Sequence, residues 1–156
     1  MIYDRQAALR YAQNWALSRN PKYADFGPMG GDCTNFVSQC LYAGAPVMNY
    51  TPVLGWYYTS LTQRAPAWTG VDEFYNFLTR NTGAGPSAEA APIPSLIEGD
   101  VIQLGNGERW FHTLFITGLY PEILVCAHDF DALDRPLSTY TALEKRGLHL
   151  NRTVRK

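Results

Sequence analysis

Apolar residues recur along this chain with two different periods, and the change from one to the other divides it in half. Over residues 4–18, Ala8, Tyr11, Ala12, Trp15 and Ala16 form one stripe with Arg5, Arg10 and Gln13 largely off it, which predicts an amphipathic helix. Asn20-Pro21 stops that helix, because a proline pushes the residue before it out of the helical region. Residues 22–31 read as an irregular loop carrying Tyr23 and Phe26. Phe36, Val37, Cys40 and Leu41 resume the helical spacing and predict a second helix. It starts at or just after Asp32 and ends near Ala43-Gly44, with Gly44 as a left-handed cap. Residues 46–67 lack a period and are rich in aromatics. Thr69-Gly70-Val71-Asp72 resembles a capping box, which places Val71, Phe74, Tyr75 and Leu78 on one face of a third helix. Residues 81–99 form a connector rich in Gly, Ala and Pro.

Beyond the connector the period falls to two. Residues 100–104, 108–119, 123–128 and 148–154 read as strands. Gly105-Asn106-Gly107 is a strong hairpin signal, Tyr120-Pro121-Glu122 supplies the next turn, and a short helix is expected over 138–147. The pattern predicts an α+β fold, a single domain over residues 1–156, with a helical N-terminal half packed on an antiparallel β half around one core.

Composition narrows the function. A chain of 156 residues can bury about 70% of the surface its unfolded form exposes, so it needs no staple to fold. Thirteen basic and 14 acidic residues nearly balance, and no basic run stands out, which argues against a nucleic-acid partner. The apolar runs are far shorter than a membrane span. Met1-Ile2-Tyr3-Asp4-Arg5 leads straight into a helix and lacks the apolar core of a signal peptide. The expectation is a cytoplasmic chain or a domain of a longer exported cell-wall protein. Three cysteines argue against a disulfide framework.

The chemistry concentrates at Gly30-Gly31-Asp32-Cys33. Two glycines free the backbone, and Asp32 can accept from unpaired N–H groups. Cys33 falls in the first turn of a helix, where the dipole favours an anion and lowers a thiol pKa. Cysteine is also a common small buried hydrophobe, a reading that suits Cys40 better than Cys33. A cysteine nucleophile needs a base, and there are three histidines. His112 lies in phase with Trp110, Leu114 and Ile116 near the start of its strand, and His128 closes the next strand of the same hairpin. His149 reads as solvated surface. Cys33, His112, Cys126 and His128 are zinc-ligand types, but Cys33 has no close-spaced second ligand, so no metal or other cofactor is expected. Asn35 and Gln39, four apart on one helix face, fit polar packing contacts.

These stretches resemble the putative amidase domain family of Gram-positive bacteria, relatives of the papain-like cysteine peptidases that include the NlpC and CHAP cell-wall hydrolases. The likeness runs from Tyr3-Asp4-Arg5 through Asn20-Pro21-Lys22-Tyr23 to Gly30-Gly31-Asp32-Cys33-Thr34-Asn35-Phe36-Val37-Ser38-Gln39. It continues in Gly55-Trp56-Tyr57-Tyr58, Trp68-Thr69-Gly70-Val71, Gly99-Asp100-Val101-Ile102-Gln103, Trp110-Phe111-His112-Thr113, His128, Asp131 and Arg135-Pro136-Leu137.

The resemblance implies a papain-like fold in which the Cys-bearing helix packs on the antiparallel sheet. It implies Cys33 as nucleophile, His112 as base, and His128 or Asp131 as the group that orients His112. Asp129 ranks third, since strand alternation turns its side chain to the opposite face. The Cys33 backbone N–H is the first oxyanion donor expected, with Tyr23 or Asp32 near a second. The reaction expected is hydrolysis of an amide in a peptide or peptidoglycan stem through a thioester. A non-catalytic peptide-binding module of the same fold and a zinc-binding domain are the alternatives. The aromatic loop 50–68 is expected to roof the cleft, with Trp56 and Tyr57 touching substrate, or else to pack over the helical core.

Overall fold

The computed structural model describes all residues from 1 to 156. Four helices come first: α1 (Arg5–Trp15), α2 (Cys33–Gly44), α3 (Pro66–Thr69) and α4 (Val71–Arg80). The loop before α3 holds a small hairpin of β1 (Tyr58–Ser60) and β2 (Gln63–Arg64). Six further strands follow: β3 (Ala88–Ala91), β4 (Val101–Gly105), β5 (Trp110–Gly118), β6 (Leu124–Ala127), β7 (Ala132–Pro136) and β8 (Glu144–Leu150). They form one sheet in the order β3-β8-β4-β5-β6-β7, with every neighbouring pair antiparallel.

Local chemistry explains the helix ends. Asp4 caps α1 by accepting the Ala7 N–H at 3.0 Å, and α1 closes at Trp15, three residues earlier than its stripe suggests. Helix α2 is buried all round, from Cys33 to Leu41, between α1 and the sheet. Gly44 is needed for close approach, not for a left-handed cap: a Cβ there would collide with the Asp4 carbonyl and the Tyr3 ring. Gly70, not Thr69, precedes α4, and no side chain caps it.

The sheet carries apolar side chains on both faces, so two clusters replace the single core expected. The larger joins the helices (Phe36, Val37, Leu41, Trp68, Phe74) and the loop residue Trp56 to Val101, Phe115, Cys126 and Leu148 of the sheet. The smaller gathers Ile102, Leu104, Leu114, Ile116 and Val125, covered by Leu96 and Leu137.

Three strands depart from the pattern. Residues 138–147 form no helix; a 3-10 turn at Leu137–Thr139 leads into β8, which pairs with β3 and β4. Its charged start hides the strand because Arg146 behaves as packing material, its guanidinium 3.7 Å over Tyr75 and 4.2 Å over Trp110. Strands β3 and β7 are the sheet edges, where Ala, charge and proline are tolerated, and so they read as connector and loop. Strand β8 also stops at Leu150, short of the expected Val154.

Asp100 is structural. Fully buried, it accepts from Arg5 Nη1 at 2.8 Å, the Ile97 N–H at 2.9 Å and the Leu150 N–H at 3.0 Å. It also sits 2.8 Å from His149 Nδ1, so His149 is a half-exposed partner and not plain surface.

Candidate active site

The chain enters α2 through Gly30 and Gly31, both with positive φ (104° and 131°). A Cβ on Gly31 would lie 2.8 Å from a carboxylate oxygen of Asp129, so the missing side chain makes room for that group. Asp32 does not cap the helix. Fully buried, it turns back, Oδ1 accepting the Phe26 N–H and Asn35 Nδ2, each at 2.8 Å. The first N–H groups of α2 are met instead from across the sheet. Asp129 accepts the Asp32 N–H at 2.9 and 2.8 Å and the Cys33 N–H at 3.2 Å.

His128 locks this mouth in place. Its Nδ1 faces Asp32 Oδ2 at 2.5 Å, and its Nε2 donates to the Trp15 carbonyl at 2.8 Å. The ring stacks on Phe36 at 4.0 Å and is 1% exposed. Burial alone would raise the Asp32 carboxyl, but the bonds from His128, the Phe26 N–H and Asn35 hold it below the ordinary value. With both ring nitrogens engaged, His128 has none left for His112. Asp131 is likewise absent from the site: it forms a two-pronged ion pair with Arg19 at 2.9 and 3.0 Å. The expectation that either residue orients His112 is not met by this geometry.

Cys33 sits at the mouth, 6% exposed, its sulfur 3.8 Å from the Thr34 hydroxyl. A polar chain ties this turn to the sheet. Thr34 and Thr113 share a 2.8 Å hydroxyl bond, Gln103 Nε2 donates to Thr113 at 3.2 Å, and Arg146 Nε donates to Gln103 at 2.8 Å. Burial pushes the Cys33 thiol up, the Thr113 N–H and Thr34 hydroxyl pull it down, and the Asp129 charge pushes it up again. The net direction is up. The helix dipole therefore does not make Cys33 a resting thiolate, as its place in the first turn suggests.

His112, one residue before Thr113, is buried to 8% with its ring 6.0 Å from that of Tyr140, and no hydrogen bond engages it. Burial lowers its pKa below the ordinary value, Asp129 works in the opposite direction, and Arg135 adds to the lowering. Both directions favour the uncharged form, the thiol at Cys33 and the neutral imidazole at His112, and the Asp129 charge raises the pKa of both groups.

Asp129 is the functional candidate that strand alternation misplaces. The strand ends at Ala127, and in the turn that follows Asp129 and Phe130 are both left-handed (φ 62° and 60°), which swings the carboxylate to the α2 mouth. The sequence signal was an Asp, one of the few side chains that tolerate this conformation, at the end of a strand.

The remaining predicted residues scatter. Trp56 is fully buried, donates to Ser38 Oγ at 3.0 Å and packs 4.7 Å from Trp68; it cannot meet a substrate, which corrects its assignment as a binding residue. Tyr57 is half-buried and pairs with the exposed Tyr50 at 5.5 Å. Tyr23 packs between Tyr58 (5.1 Å) and Trp68 (6.0 Å). Asn35 and Gln39 are packing contacts, Asn35 accepting from Trp68 Nε1 at 2.9 Å and Gln39 from the Tyr11 hydroxyl. The zinc-ligand types do not converge. His128 is saturated, the Cys126 sulfur lies 3.9 Å from Thr117 Oγ1, and burial pushes its thiol up to about 11. A cavity of about 640 Å³ lies between α4 and residues 49–54 and shares no lining residue with the Cys33 cluster.

The family described as "Putative amidase domain" matches residues 2–151. Two proteins of Bacillus subtilis strain 168 are similar. The uncharacterized protein YhbB is 31% identical over 118 residues, 73% of this chain and 37% of that protein. The uncharacterized protein YjcM is 26% identical over 152 residues, 91% of this chain and 34% of that protein. The chain thus spans about a third of the length of these curated relatives. No solved structure matches it.

Proposed function

We propose, on the premise that this chain belongs to the putative amidase domain family, that it hydrolyses amide bonds with Cys33 as nucleophile and His112 as base. The observation that carries the reading is the convergence at the α2 mouth. There the Cys33 sulfur, the strand segment bearing His112 and an Asp129 carboxylate acting on both meet under two backbone N–H groups. The packing of α2 against β5 supports a papain-like arrangement.

The neutral resting pair sets the chemistry. His112 takes the thiol proton as the sulfur attacks the carbonyl carbon, and the oxygen becomes an oxyanion near the Cys33 N–H. Collapse breaks the C–N bond, and the leaving amine takes the proton from His112. Water, deprotonated by His112, then attacks the thioester, releasing the carboxylic acid and restoring the thiol.

Exposed apolar side chains flank these residues in sequence: Met29 (55%) before Gly30-Gly31, Phe130 (90%) after Asp129 and Phe111 (39%) before His112. They suit an uncharged stretch of peptide, and a peptidoglycan stem or cell-wall-type peptide is the substrate class proposed. No helix of the chain is long and apolar enough to cross a membrane.

The test is mass spectrometry of products after incubation with a panel of peptidoglycan fragments and peptides, with Cys33→Ala as control. Products bearing a new carboxyl and a new amine, absent with the control, are expected. Phe130→Ala should raise KM with little change in kcat. Binding of the same peptides without turnover would favour the non-catalytic module.

A further inference from the structure

The Asp129 carboxylate occupies ground that the proposed reaction needs. A helix N-terminus next to a nucleophile offers its N–H groups to the oxyanion formed on attack. Here the Cys33 N–H is already spent on Asp129 Oδ2 at 3.2 Å, and the Asp32 N–H is spent on both oxygens of the same group. The arrangement is built, not incidental. Two consecutive non-glycine residues in the left-handed region deliver the carboxylate, and Gly31 has no Cβ where it lands.

We infer that Asp129 is a resident stand-in for the oxyanion, which places a negative charge at the Cys33 N–H in the free protein and must leave that N–H when an acyl group is attacked. The inference rests on the amide-hydrolase reading and adds a positioning residue to it. The surrounding charges fit. Just before α2, Asp32 is hydrogen-bonded to His128 Nδ1 and lies 3.5 Å from Arg19 Nε. Arg19 is in turn paired with Asp131. Strand β5 brings His112, whose neutral form burial favours, and the turn after β6 brings His128. Asp129 is the carboxylate without an ion-pair partner in this group, and it is the one that accepts the Cys33 N–H.

Displacement moves a negative charge away from the thiol as the oxyanion replaces it at the N–H, so the helix N-terminus never faces two anions at once. The carboxylate that leaves remains within the field of His112, which it stabilises as that ring takes up the thiol proton. The device couples protonation of Cys33 to occupancy of the site.

The experiment follows alkylation of Cys33 across pH by intact-protein and peptide mass spectrometry, using neutral iodoacetamide and anionic iodoacetate. With Asp129→Asn, which keeps an acceptor but removes the charge, the alkylation midpoint should move to lower pH. Labelling by iodoacetamide at pH 7 should rise about tenfold. In the unmodified protein, iodoacetamide should outrun iodoacetate by more than it does on glutathione, and the variant should close that gap. The second measurement needs no variant and stands if Asp129→Asn fails to fold. An unchanged or higher midpoint, or a reagent ratio equal to that of glutathione, would overturn the inference. If no amide is hydrolysed but the profiles behave as stated, the hydrolase reading fails and the control of the thiol by Asp129 stands. Hydrolysis with unmoved profiles removes Asp129 alone.

Discussion

His112 lies on β5 and His128 in the turn that follows the neighbouring β6, and both are buried, yet they belong to different kinds of site. His128 spends both ring nitrogens, on Asp32 and on the Trp15 carbonyl, and stacks on Phe36. His112 spends neither. The first is a clamp that holds α1, the α2 mouth and β6 together. The second is a ring with its proton chemistry still available. His128 bonds Asp32 directly, whereas the Asp129 carboxylate at the same helix mouth acts on His112 through its charge. Saturation separates the structural residues from those proposed to react: a polar group with every partner filled stabilises a fold, and one with a partner missing can act on something else.

The largest expected effects fall on the unsaturated pair. Cys33→Ala should lower turnover about a thousandfold or more while leaving thermal unfolding nearly unchanged, as for a nucleophile that carries little packing. His112→Ala should lower kcat by about 10²–10⁴-fold, the range for a lost general base. Both are read from product formation against the melting temperature. A large fall in melting temperature with either variant would erase the distinction between the two histidines.

His128→Ala should do the reverse. It leaves the buried Asp32 charge without its partner, and breaking a buried pair costs about 3–5 kcal/mol. Urea unfolding measures this. Adding Asp32→Asn to His128→Ala should restore part of the loss, because removing both partners costs less than orphaning one. If His128→Ala unfolds normally but is inactive, His128 belongs with the catalytic group after all.

Acid should act on both regions in the same direction. Folding holds the Asp32 carboxyl below its ordinary value, so the stability it lends is complete above the unfolded value of about 4 and is lost as pH falls through the folded value. Folding also lowers the pKa of His112, so keeping that ring neutral costs nothing above the unfolded value of about 6.5. It becomes a burden as pH falls below that value. The acid limb of kcat/KM should accordingly lie below the ordinary imidazole value, since the base needs to be neutral. An acid limb above it would mean that a thiolate–imidazolium pair is preformed.

Asp131→Ala should have the smallest effect. Its ion pair with Arg19 is about one-third exposed on each side (30% and 32%). Such pairs are worth under about 1 kcal/mol, and activity should be nearly unchanged. A dead Asp131→Ala would move this residue from the surface into the mechanism.

The chain's own pattern determined a good deal. Local rules suffice where the cause is local: the stripe of Ala8, Ala12 and Ala16, the second helix starting at Cys33, the hairpin turn at 105–107, and the alternation along Leu114 and Ile116. The motif Gly-Gly-Asp-Cys picked out the mouth of α2 because glycine, acid and thiol each have a physical reason to stand there. Tertiary structure decided what the partners would be. Whether Asp32 or Asp129 meets the first N–H groups depends on two left-handed residues at the far end of the chain, and no spacing rule reaches across 97 positions. Whether Trp56 roofs a cleft or fills a core depends on Ser38 and Trp68 lying against it. The edge strand β7 and the charged start of β8 were invisible for the same reason. Their stability comes from a neighbour strand and from rings beneath Arg146, and not from their own apolar period.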